Sequence, residues 1–78
     1  MDNEKKSAYR KRISEAEEKL SSASYNHTFG SSFDATWLFA EARKMYLSIQ
    51  ADLEKEEPSQ GRDELLEELL ISWNKYTD

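Results

Sequence analysis

The chain has 78 residues, 37% hydrophobic and 35% charged, with a net charge of −5 and no cysteine. That length allows one domain on one small core, and the missing thiols exclude disulfide staples and thiolate metal sites. The apolar residues are periodic and aromatics reach 12%, which argues against disorder, and no run suits a transmembrane helix or a signal-peptide core.

Residues 3–23 place Tyr9, Ile13, Ala16, Leu20 and Ala23 at spacings of 4, 3, 4 and 3. This is the seam of a helix that meets one neighbour along a narrow line, and the alanines let that neighbour approach closely. Residues 24–31 then carry Tyr25, His27, Phe29 and Gly30 and are expected to form the bend of a hairpin. In this reading Tyr25, Phe29 and Phe33 fold over the open end with Trp37 beneath them, and Gly30 permits the turn. The alternative leaves part of the aromatic set exposed as a binding hot spot, with the plug favoured for Phe29 and Phe33.

Residues 32–56 predict a second helix. One apolar row is Leu38, Ala42, Met45 and Ile49, and another is Ala35, Phe39, Ala42, Tyr46, Ile49 and Leu53. Together they span about 120° of a helical wheel, which suits an element with neighbours on two sides and predicts the centre of the fold. Ser31 and Asp34 have the spacing of an N-terminal cap. Pro58 and Gly61, in EEPSQGRDE, separate this helix from a third over 62–76, with Ser59 as its cap. There Leu65, Leu66, Leu69, Leu70, Trp73 and Tyr76 share the expected buried face, and Ile71 points away.

Charge placement predicts how the elements are arranged. Lys5, Lys6, Arg10, Lys11 and Arg12 crowd the start of the first helix, while Asp52, Glu54, Glu56 and Glu57 crowd the end of the second. Each cluster lies at the unfavourable end of its own helix dipole. An antiparallel pairing sets the clusters against each other and offsets both penalties. The expected fold is therefore all-α: an antiparallel helical hairpin with a shorter third helix packed on it, a small three-helix bundle formed by residues 1–78.

Catalytic signals are sparse. His27 is the only histidine, there is no Gly-rich phosphate loop, and no serine is placed by motif beside a histidine–carboxylate pair. EEPSQGRDE lacks the spacing of a calcium loop. The expectation is a protein that is not an enzyme and uses no metal or cofactor. The basic run KKSAYRKR belongs to a net-acidic chain and contains one aromatic, so direct nucleic-acid binding is not expected, nor is a membrane role. The compartment expected is the cytoplasm.

Trp37, Leu47 and Ile71 fall outside the predicted buried arcs and are the candidate partner-binding residues. The expected function is a helical protein-interaction module (an adaptor, chaperone or regulatory protein) that presents its surface to a protein partner or to a second copy in a homodimer. The alternative uses the acidic run Asp52, Glu54, Glu56, Glu57, Asp63, Glu64, Glu67 and Glu68 as a nucleic-acid mimic that occupies a basic groove. Over its middle helix alone, Ala42-x-x-x-Tyr46-x-x-Ile49 resembles microtubule-interacting-and-trafficking domains. That resemblance implies a three-helix fold that binds partner helices in a groove. The long first connection departs from that pattern, and no residue roles are carried over.

Overall fold

A computed structural model describes residues 1–77 and folds them into three helices: α1 (Asn3–Phe29), α2 (Ser32–Glu54) and α3 (Gln60–Thr77). No strand occurs among the described residues. The helices form an elongated bundle of 41 × 19 × 17 Å, in which α1 and α2 pack most closely as an antiparallel hairpin.

Asp2 caps α1, its carboxylate accepting from the Lys5 amide at 2.8 Å, and Glu4 adds a negative charge to the first turn. The buried residues of α1 are Tyr9, Ile13, Ala16, Leu20 and Ala23, the seam that the spacing predicts. The helix does not stop at Ala23, however. No glycine or proline lies between Ala23 and Gly30. Asn26 and Thr28, which could have drawn the backbone into a turn, instead donate to the carbonyls of Ser22 and Ser24 at 2.8 and 3.2 Å. The predicted bend over 24–31 therefore contracts to Gly30 and Ser31.

This shortening removes the expected aromatic plug. Tyr25 is 64% exposed, Phe29 75%, Phe33 78% and Trp37 54%. A two-residue connection leaves no slack to fold these rings back over the hairpin, so they point outward from regular helix. Gly30 has φ −128°, outside the left-handed region, so it is not needed for a special turn. It is needed for space, because a Cβ there would lie 2.6 Å from Asn26 Oδ1 and 3.2 Å from Asn26 Cα.

Ser31 caps α2, accepting from the Asp34 amide at 3.4 Å. The helix buries Ala35, Ala42, Tyr46, Ile49 and Leu53, with Leu38, Phe39 and Met45 half-buried. Ser59 caps α3, its hydroxyl accepting from the Arg62 amide at 3.1 Å. Gly61 lies within the first turn of α3 and does not divide the helices.

Leu20, Ile49, Leu53 and Leu65 are fully enclosed, so each helix contributes to the centre. The buried residues of α3 are Leu65, Leu69 and Ser72, backed by the half-buried Leu66, Trp73 and Tyr76. Leu70, expected inside, is exposed, because it sits about 100° around the helix from Leu69. Ser72 is buried instead. Its hydroxyl meets the Tyr46 hydroxyl at 2.5 Å and donates to Glu17 at 3.1 Å, so one polar chain links all three helices.

The second correction concerns the centre of the fold. α3 packs more extensively on α1 than on α2, so α1 also has two neighbours. Lys6 meets Glu64 and Arg10 meets Glu68, both at 3.2 Å. Together with Glu17 and Ser72, these pairs advance in the same direction along both helices, so α3 runs parallel to α1. A count of apolar residues on α1 missed this side because long cationic side chains line it.

Candidate interaction surface

The three helices end at different levels. Beyond the Glu17–Ser72 hydrogen bond, α3 continues for about 8 Å and α1 for about 18 Å at 1.5 Å per residue. The far end of the hairpin therefore extends about 10 Å past the third helix as a two-helix tip. Tyr25 and Phe29 stand one turn apart on α1 with ring centroids 5.3 Å apart. Phe33 and Trp37 stand one turn apart on α2. The Lys19 ammonium lies 5.6 Å from the Trp37 ring centroid, a cation–π contact that leaves most of the indole in water.

The opposite end of the molecule is highly charged. Lys5 pairs with Glu56 at 3.0 Å and Arg12 with Asp52 at 2.9 Å, across the α1–α2 seam as the charge pattern predicts. Tyr9 completes the site by donating to Glu56 at 2.8 Å. The Lys5 and Tyr9 hydrogen bonds hold the Glu56 carboxyl below its ordinary range. Lys6 does the same for Glu64. Burial, helped by the bond to Glu56, pushes the Tyr9 hydroxyl up to about 12.

Of the eight acidic candidates, Asp52, Glu56, Glu64 and Glu68 are thus occupied by cations of α1. Asp63 lies 3.7 Å from Arg62. Glu54, Glu57 and Glu67 are exposed. Half of the acidic run therefore belongs to the contact that closes the bundle.

The three apolar candidates, Trp37, Leu47 and Ile71, are all exposed but do not come together. Trp37 belongs to the tip. Leu47 lines a groove between α2 and α3 with Tyr46, Gln50, Leu69, Leu70 and Trp73. Ile71 stands beside Arg10, Glu67 and Glu68 on the α1–α3 side. Sequence reasoning favours burial for Phe29 and Phe33 over the alternative of an exposed aromatic set, and the structure exposes them both, with Tyr25. A signal for this was present. The 4–3 rhythm of the α1 seam continues from Ala23 to position 27, and Tyr25 and Phe29 lie two residues to either side of it.

No group of three or more histidine and carboxylate side chains placed to hold a metal ion occurs among the described residues. Among the same residues, no helix is long and apolar enough to cross a membrane. No protein-family model matches the chain, and neither does any curated protein or solved structure.

Proposed function

We propose that this protein is a non-enzymatic helical interaction module whose main contact surface is the aromatic tip of the α1–α2 hairpin. The observation that carries this reading is the exposure of Tyr25 and Phe29 on α1 and of Phe33 and Trp37 on α2, at the end of the hairpin that the third helix does not reach. Rings this exposed add only surface contacts, Tyr25 with Phe29 and Lys19 with Trp37, to the fold. Such rings dominate binding energy at protein interfaces because they bring much apolar area at little cost in side-chain freedom. The scarcity of catalytic groups supports the non-enzymatic half of the proposal: the single histidine, His27, is exposed in the last turn of α1.

Affinity capture from the native host tests the proposal. A variant carrying Phe29→Gln and Phe33→Gln should lose the proteins retained by the wild-type chain. Identical retention by both would refute the tip as the contact surface. The acidic-decoy reading has less support, because four of its carboxylates already hold cations of the same chain.

A further inference from the structure

We infer that the open face of α2 and α3 is a dimer surface, on which two copies of this chain pack with each helix antiparallel to its own counterpart. The inference concerns a second surface and does not depend on the aromatic tip. Two observations select a second copy as the occupant.

The first is the order of charges along the face. α3 packs less extensively on α2 than on α1, and the side left open is a groove of about 250 Å³ that Leu47 and Leu70 line together. Both leucines are exposed. Arg43 lines the same groove, one turn from Leu47 toward the tip. Glu54 follows Leu47 by seven residues and Asp63 precedes Leu70 by seven. Both acids therefore lie within about 20° of those leucines, two turns toward the charged base.

Among the described residues, neither Arg43 nor Glu54 has an ionic partner. About 16 Å of helix separates them, so they do not pair within one molecule. A two-fold axis running across the helices, level with Leu47, lays α2 on α2 in reverse. Arg43 of each copy then meets Glu54 of the other. The alternative axis, along the helices, lays α2 on α3 at equal levels and sets Glu54 against Asp63, which Arg62 approaches only to 3.7 Å. Charge selects the antiparallel pair, and in that pair the face is its own complement.

The second observation is area on one face. Leu47 and Leu70 are flanked there by the half-buried Leu66 and Trp73. From Asp63 to Thr77 the face runs about 21 Å, and two helices make it about 20 Å wide. Each copy covers about 400 Å², and the pair buries about 800–1,000 Å² once side-chain relief is included. An interface of this size is weak, with a dissociation constant between about 10 µM and 1 mM.

Sedimentation velocity on the full chain, from about 10 µM to about 1 mM, tests this. The wild-type mass should rise from 9.1 kDa toward twice that value. Arg43→Glu and Glu54→Arg should each weaken association about tenfold by bringing like charges together. The double variant R43E/E54R should restore it to within about threefold, a rescue that requires two molecules because the residues are too far apart in one. Leu70→Gln should also weaken association about tenfold, and F29Q/F33Q at the tip should leave it unchanged.

A wild-type chain that stays monomeric throughout this range would overturn the inference, and so would a double variant as weak as the single ones. Association lost in F29Q/F33Q and kept in Leu70→Gln would overturn it by assigning the contact to the tip. The tip reading is decided separately, by protein retention on the F29Q/F33Q variant.

Discussion

Tyr46 and Ser72 meet where all three helices converge, and their hydroxyls are among the few polar groups in the interior. Ser72 also reaches Glu17, so the two residues are not equivalent. Removing the Tyr46 hydroxyl with Tyr46→Phe leaves Ser72 satisfied by Glu17 and should cost about 1 kcal/mol. Ser72→Ala leaves the Tyr46 hydroxyl buried without this partner and should cost more, about 1–3 kcal/mol. Urea denaturation of the two variants measures the difference, and equal losses would remove Ser72 from its bridging role. Nothing in LLISWNKY marks Ser72 as interior. Its burial depends on a tyrosine 26 residues away supplying a partner, and a helical pattern read one segment at a time does not contain that information.

At the scale of elements, the connection between α1 and α2 is the tightest constraint. An alanine at position 30 would push Asn26 off the Ser22 carbonyl and press on the backbone of Asn26. Gly30→Ala should therefore lower stability by about 1 kcal/mol. Asn26→Ala in the same chain should recover part of that loss, an interaction that a double-mutant cycle of thermal melts would detect. The helices themselves were legible in the sequence because both long seams are periodic and Ser31 and Ser59 are conventional caps. The end of α1 was not legible, since a cluster of aromatics next to a glycine was read as a turn. Gly30 alone marks the boundary, and the residues before it have no reason to leave the helix. Among the site candidates, Trp37 was found because it lies off its arc. For Tyr25, Phe29 and Phe33 the pattern allows both burial and exposure, and a cluster of rings beside a glycine favours the wrong one.

For the whole molecule, charge sets orientation more than it supplies stability. The ion pairs are partly exposed and each contributes about 0–1 kcal/mol. Arg10→Glu should destabilise modestly by placing like charges opposite Glu68, and adding Glu68→Arg should restore most of the loss, as followed by urea midpoint. Equal destabilisation by the single and double variants would show that the α1–α3 pairing does not depend on this contact. The pH dependence has a definite sign at each end. Glu56 and Glu64 have carboxyls lowered from 4.5, so their contribution is complete above that value and is lost as pH falls below it. Tyr9 is raised from 10.0 to about 12, and Lys5 is raised by its bond to Glu56. Their contribution is complete below about 10 and is lost as pH rises toward about 12. The urea midpoint should be flat between these limits and decline on both sides.

The short third helix has one more consequence. Backbone amides from Tyr25 to Thr36 belong to turns guarded by a single neighbouring helix, whereas those near Leu20, Ile49 and Leu53 sit beneath a closed core. The two regions will not open together. The tip can fray and re-form while the charged base stays folded, giving fast proton exchange and early proteolytic nicking at one end of a molecule whose other end opens only when the entire chain unfolds.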